Sequence, residues 1–441
     1  MNHFTKDKPN KKTKNGPSII PRAGHTISRS NISRNALKVL YRLNEAGYGA
    51  YLVGGCVRDL LLGYKPKDFD IATNALPEDI RKLFKNCRLI GKRFRLAHIL
   101  FGKEIIEVAT FRTHHENATH EHHKKSQHGM ILRDNMYGTI EDDVWRRDFR
   151  INALYYNIAD YSIIDYVGGL DDIQNKMLSM IGEPEQRYHE DPVRLLRAVR
   201  LMAKLNISIH PQTEEPIKKL NYLLQHVSSA RLFQEVLKIF QGGSTLTTIH
   251  LLQKYNIFSQ LFPATETVLN NSHTKDLLTV ALASTDHRIS QGKTVSPAFL
   301  FAVLLWHPFV NYISQLENKK LPTFIAYEKA LQIVMKEQTE RLAIPRIMQI
   351  SIREICILQH RFTQRRANQV NRLLEHPRFR AAYDLLLLRA HSGEPITECS
   401  IWWTKYYSAN PSEKALLLKE LTTTHPKKHR RRKPQKTKKI E

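Results

Sequence analysis

The stretch YLVGGCVRDLLLGYKPKDFDIAT, Tyr51 to Thr73, decides how this chain reads. A short apolar run, Tyr51–Val53, ends in Gly54-Gly55, and a helical pattern carrying Arg58 and Asp59 follows. Paired glycines let a backbone pass close to a phosphate, and the N-terminus of a following helix adds oriented N–H donors. Alone, such a pair is an ordinary turn. The DFD at 68–70 says more. In a strand, Asp68 and Asp70 share one face while Phe69 takes the other. Neighbouring carboxylates repel, so a half-buried strand carries them where a cation compensates, and hard divalent ions such as Mg²⁺ take oxygen ligands of this kind. The bland alternative, a solvated strand end, weakens once the glycine turn and Arg58-Asp59 stand within twenty residues.

On either side the pattern is mixed. Ser33 fits an N-cap, Ala36, Leu37, Leu40 and Leu43 recur at helical spacing, and Gly47 is a stop. Tyr51–Val53, Asp68–Thr73, Arg95–Phe101 and Ile105–Thr110 read as strands, with a helix beginning near Pro77. In EIIEVATFR, Glu107 interrupts an apolar strand pattern. Either it joins Asp68 and Asp70 as a third metal-binding carboxylate, or it pairs with an arginine such as Arg112. From Pro192 on, long amphipathic patterns replace the strands. In EDPVRLLRAVR (Glu190 to Arg200), Pro192 suits a first helical turn with acidic residues at its positive end. Leu195, Leu196, Val199 and Met202 form the apolar stripe. Asp191 and Arg194 are neighbours beside it, a carboxylate acceptor and a guanidinium donor able to read a base edge.

These patterns predict an α/β domain followed by an all-α region. The boundaries are a disordered basic arm over 1–31, the α/β domain over 32–165, helical regions over 166–270 and 271–424, and a disordered basic tail over 425–441. A net charge of +26 makes nucleic acid the expected partner, with a membrane surface as the competing explanation. No run of eighteen apolar residues and no apolar leader stands out, and the four dispersed cysteines suit a reducing cytosol. Two tempting sites are set aside. The histidines between His114 and His128 lack tetrahedral spacing and suit a loop near the RNA path better than zinc. Trp402, Trp403, Tyr406 and Tyr407 are read as core rather than as base-stacking residues.

The GG-x₂-RD and DFD motifs resemble the signature of the class II nucleotidyltransferase superfamily, the bacterial poly(A) polymerases and CCA-adding enzymes. RRDFRINAL (Arg146 to Leu154) resembles its ribose-recognising motif and EDPVRLLRAVR its base-selecting helix. LIGKRFRLAHI (Leu89 to Ile99) resembles a segment that marks the poly(A) polymerases. The likeness runs from about Ile32 to the basic tail and implies a nucleotidyltransferase head, then helical neck, body and leg. It implies adenylate addition to RNA 3′ ends from ATP, with two Mg²⁺ ions and a role in mRNA processing and turnover. Asp68 and Asp70 would serve metal binding and chemistry, with Glu107 as third carboxylate and Asp148 essential. Gly54, Gly55 and Arg58 would lie at the nucleotide, Arg147 and Asn152 near triphosphate and ribose, with Asp148 accepting from the 2′-OH. Asp191 and Arg194 would select the base, with Glu190 supporting. Arg197 is assigned to the nucleotide too, although it and Arg200 fit ion pairs or phosphate contacts equally. Cys56 departs from the usual glycine. A CCA-adding enzyme is the near rival and an inert RNA-binding protein the distant one, though the latter predicts a broken carboxylate set.

Overall fold

The computed structural model describes residues 16–91, 95–113, 136–365 and 367–424. The chain divides into two compact units, one built from residues up to 235 together with 247–260, the other from 236–246 and 261 onwards.

The first unit holds an eight-stranded sheet. Its strands are β1 (Ser18–Ile20), β2 (Ala50–Val53), β3 (Asp70–Thr73), β4 (Cys87–Ile90), β5 (Leu96–Phe101), β6 (Glu104–Thr110), β7 (Leu154–Asn157) and β8 (Ile163–Asp165). Their order across the sheet is β1-β8-β7-β2-β3-β6-β5-β4. Every neighbouring pair is antiparallel except β3 with β6, which run parallel and set Asp70 beside Glu107. Helix α1 (Arg34–Glu45) starts at the predicted cap, where the Ser33 side chain accepts from the Asn35 N–H. Its buried stripe is Ala36, Val39, Leu40 and Leu43, packed into one core with Leu52, Val57, Ile71, Ile106 and Val108. Leu37, expected in that stripe, only packs at its margin. Helix α2 (Gly55–Leu61) follows the glycine turn, and α3 (Pro77–Leu83) begins where Pro77 predicts.

Three differences from the sequence reading stand out. Disorder up to Asn31 does not hold from Ser18 onward, because β1 pairs with β8 and Ile27 is buried. Three extended residues give too little alternation to announce a strand. The third strand starts at Asp70, so Asp68 stands two residues before it. The exposed, buried, exposed order of Asp68, Phe69 and Asp70 still follows the expected parity. Lastly, β4 closes an antiparallel hairpin with β5, from Cys87 opposite Ile99 to Ile90 opposite Leu96. Residues 92–94 within LIGKRFRLAHI, the histidines of 114–128, and the stretches 1–15 and 425–441 lie outside the described residues.

Helices α4 (Ile140–Trp145), α5 (Gly169–Gln174), α6 (Pro184–Glu190) and α7 (Val193–Leu205) complete the part of this unit that bears on the site. In α7 the expected stripe is buried, with Leu195, Leu196 and Val199 at 0% exposure and Met202 at 8%. Burying each such side chain contributes roughly 1.5–3 kcal/mol.

In the second unit every regular element among the described residues is a helix. Its longest helix, Pro297–Asn318, has 22 residues and is long and apolar enough to cross a bilayer by length and composition, although His307, Asn311 and Gln315 break any run of eighteen apolar residues. Phe301 of that helix packs on Phe240 and Phe262, and Leu300 through Trp306 are buried. Its apolarity belongs to a protein core. Trp402, Trp403 and Tyr406 are buried as expected, while Tyr407 is exposed.

Candidate active site

The site grows from the end of β2. Gly54 has φ +81°, the left-handed region that favours glycine, and caps α2. A Cβ there would stand 3.8 Å from both Asp70 Oδ2 and Arg147 Nη1, so the glycine faces a carboxylate and a guanidinium at once. Cys56, one turn further, is buried, and burial pushes its thiol up to about 12, so it stays protonated and donates to the Val53 carbonyl. That is a packing role, compatible with the departure from glycine.

Three carboxylates lie near one another where β3 begins beside the middle of β6. Asp70 is in register with Glu107, and Asp68 lies two residues before it. The Asp70 side chain opens to solvent, yet protein rises around it. That surrounding protein, and then the charges of Glu107 and Asp68, push it up to about 6 despite Arg147 and Arg197. Glu107 pairs with His98 Nε2 at 3.5 Å, not with Arg112, whose Nη2 donates to the Arg95 carbonyl at 3.4 Å. Among the described residues no group of three His, Cys, Asp or Glu closes around a single point as a metal shell. The donor chemistry nevertheless fits a hard divalent ion, since all three are carboxylate oxygen donors. Asp68 and Glu107 are exposed, leaving their side chains room to turn toward a cation.

Arg147 is aimed by its neighbours. Its Nε donates to Tyr155 Oη at 2.7 Å and to Asp143 Oδ2 at 3.1 Å, and its Nη2 to the same carboxylate oxygen at 2.8 Å. Burial alone would lower its pKa, but Tyr155 and Asp143 more than reverse this and hold it charged. Nη1 is the nitrogen that faces Gly54.

Asp148 behaves differently from Asp70. It is buried, accepts from the Phe149 N–H at 2.8 Å and Asn152 Nδ2 at 3.3 Å through Oδ1, and receives Arg197 on Oδ2 at 2.5–2.6 Å. Burial would raise its pKa, but Arg197, the Phe149 N–H and Asn152 bring it down to about 2. The chain of contacts continues, because Asn152 Oδ1 accepts from Arg58 Nη1 at 2.6 Å and Arg58 also donates twice to Asp59. Asp148, Asn152, Arg58 and Arg197 thus form one internally satisfied network. Arg197 makes an ion pair with Asp148, and Arg200 pairs with Glu235 at 3.4 Å.

The expected base-selecting pair sits at the start of α7. Asp191 Oδ2 accepts from Arg231 Nη2 at 2.8 Å, and Arg194 Nη1 donates to Glu190 Oε2 at 3.0 Å and to the Arg187 carbonyl at 2.6 Å. Sequence reasoning passed over Arg187, Arg231, Asp143 and Tyr155. Asp143 was findable, four residues before Arg147 and close to one helical turn away. Arg231, forty residues from its partner, was not.

A sheet that pairs acidic residues across β3 and β6 beside a glycine turn, with a helical remainder, defines an RNA nucleotidyltransferase. Residues 50–179 match the family described as "Poly A polymerase head domain". Residues 206–269 match "Probable RNA and SrmB- binding site of polymerase A", and residues 319–437 match "Polymerase A arginine-rich C-terminus". Poly(A) polymerase I of Salmonella typhimurium is 48% identical over 427 residues, covering 95% of this chain and 92% of the relative. That of Haemophilus influenzae is 46% identical over 418 residues, covering 93% and 92%. The chain belongs to the bacterial poly(A) polymerase I family. The CCA-adding enzyme of Bacillus subtilis is 38% identical, but over 51% of this chain and 55% of its own length. Among solved structures, the Bacillus stearothermophilus CCA-adding enzyme in complex with CTP aligns with TM-score 0.59 at 23% identity, covering 88% of this chain and 92% of that one. At that identity the likeness is one of fold.

Proposed function

We propose that this chain adds adenylates one at a time to RNA 3′ ends from ATP, releasing pyrophosphate, in the processing and turnover of mRNA. The observation that carries the reading is Asp70 in register with Glu107, pushed up to about 6 beside a glycine turn that Arg147 also faces. Such a grouping suits a reaction in which cations and a polyphosphate arrive together.

Divalent ions held by Asp68, Asp70 and Glu107 would lower the pKa of the RNA 3′-hydroxyl and neutralise the departing pyrophosphate. Within the protein, Gly54 supplies a left-handed turn (φ +81°) that a side chain would strain, within van der Waals reach of Asp70 and Arg147, and Gly55 continues it into α2. Arg147, anchored by Asp143 and Tyr155, turns Nη1 toward the phosphates. Asp148 acts through others: it fixes Arg197 and Asn152, and through Asn152 the buried Arg58, so that the floor beneath the ribose is rigid. Asp191 and Arg194, held by Arg231 and Glu190, face the base. The basic surface suits RNA held through its backbone with little sequence preference. Four dispersed free cysteines support a cytoplasmic setting.

The full-length likeness to poly(A) polymerases, set against half-length likeness to CCA-adding enzymes, supports ATP over mixed CTP and ATP use. Primer extension of an unstructured RNA with each nucleotide supplied separately tests this. The expected outcome is long adenylate tails, with CTP and UTP used poorly. Addition confined to cytidine, cytidine and adenosine on a truncated tRNA would overturn the polyadenylating reading and leave the carboxylate site standing.

A further inference from the structure

We infer that Arg187 is a positioning residue that sets the distance between the phosphate-binding loop and the base-selecting helix, so that nucleotide discrimination depends on it. The inference rests on the proposed roles of Arg147 and Arg194.

Arg187 lies in α6 and is 4% exposed. Its guanidinium reaches three acceptors from two separate segments. Nη2 donates to the Arg146 carbonyl at 2.8 Å and the Arg147 carbonyl at 2.5 Å, and Nη1 donates to Glu190 Oε2 at 2.6 Å. Glu190 Oε2 also accepts from Arg194 Nη1, which donates in turn to the Arg187 carbonyl. One planar fork therefore ties the backbone of Arg146 and Arg147 to the carboxylate that holds Arg194. Only a guanidinium spans these acceptors at fixed angles; an ammonium is a point charge on a flexible stem.

The arrangement is costly, which argues that it is not incidental packing. Arg187 Nε is buried with no hydrogen-bond partner. Burial, and then the nearby Arg194 charge, push the guanidinium down to about 10. A template-independent enzyme must judge the base while the triphosphate is held elsewhere, so the two holding groups need a fixed separation. Arg147 takes one end and Arg194 the other, and Arg187 touches the support of both.

Arg187→Lys keeps the charge and loses the fork. On an unstructured primer, the ratio of kcat/KM for ATP to kcat/KM for CTP should fall by about tenfold, the scale of losing one bidentate discrimination. A merely structural role would lower the active fraction equally for every nucleotide and leave the ratio untouched. Glu190→Gln is the second arm: it keeps the shape, weakens both arginine contacts, and should lower the same ratio severalfold, even if Arg187→Lys fails to fold. An unchanged ATP:CTP ratio in either soluble variant overturns the inference. The wild-type chain is run alongside. If it adds no adenylates, the proposed function falls and takes this inference with it; if it prefers ATP and the variants do too, only the inference falls.

Discussion

The two units treat a carboxylate in opposite ways. In the head, Asp70 has Glu107 in register and Asp68 nearby, and it is pushed up to about 6. In the helical unit, Glu394 accepts from Arg389 Nε at 3.0 Å and Nη2 at 2.7 Å, from Trp306 Nε1 at 3.1 Å, and lies 3.5 Å from His307 Nε2. Burial would raise Glu394, but His307 and Arg389 bring it down to about 2. Arg389 also stacks 4.0 Å above the Trp306 ring and donates to Gln359. A charge whose compensation is built in holds a fold together. Asp70, raised by the surrounding protein and then by Glu107 against the pull of Arg147 and Arg197, is compensated only in part and leaves the rest to something that arrives from outside. Asp148, brought to about 2 by Arg197 inside the same head, belongs by this measure with Glu394 rather than with Asp70.

The sharpest way to break the comparison is to neutralise each centre. Asp70→Asn should abolish nucleotide addition, a loss of a thousandfold or more for a transition-state contribution of several kcal/mol. Its melting temperature should not fall, because the change relieves repulsion. Activity at near wild-type rate would remove Asp70 from the site. Glu394→Gln should do the converse. Breaking a buried, hydrogen-bonded ion pair costs about 3 kcal/mol or more, visible as a lower midpoint in denaturant, while addition to short primers at saturating RNA continues at the wild-type rate.

A smaller effect separates base selection from chemistry. Arg194→Ala should lower both the rate and the preference for ATP over CTP, by roughly 1–3 kcal/mol in discrimination. A fall in rate with preference intact would assign Arg194 a structural role only.

Acid titration gives the gentlest contrast, and the signs differ. Glu394 is depressed from 4.5 to about 2, so its contribution is present above pH 4.5 and is lost as pH falls from there toward 2. Asp70 is raised from 3.8 to about 6, so the folded state holds that proton more tightly and stability declines as pH rises between those values. Glu394→Gln should flatten the acid-side loss, and Asp70→Asn should remove the decline toward pH 6.

Much of the head was legible because strand parity is strict. Strand parity predicts one face for Asp68 and Asp70, an order the exposure pattern keeps although Asp68 lies just before β3, and Glu107 stands out as a charge in an apolar run. Helix α7 announced itself through Leu195, Leu196, Val199 and Met202. What stayed hidden depends on partners far away in sequence. β7, Leu154–Asn157, has three consecutive buried residues and so shows no alternation. The pairing of β1 with β8 joins residues some 145 positions apart. That Arg197, from a helix some fifty residues on, would reach Asp148 had no local signal either. Gln359 and Arg389 meet only after two helices pack, and no local pattern reports that.

The most direct test is the Mg²⁺ dependence of thermal unfolding in the wild type, Asp70→Asn and Glu394→Gln. A cation that binds the folded state raises its melting temperature in proportion to the logarithm of occupancy. If the head carboxylates are left uncompensated for a cation, millimolar Mg²⁺ should raise the melting temperature of the wild type and of Glu394→Gln alike, and leave that of Asp70→Asn unmoved. A full Mg²⁺ shift in Asp70→Asn, or none in the wild type, would contradict the division between the two centres.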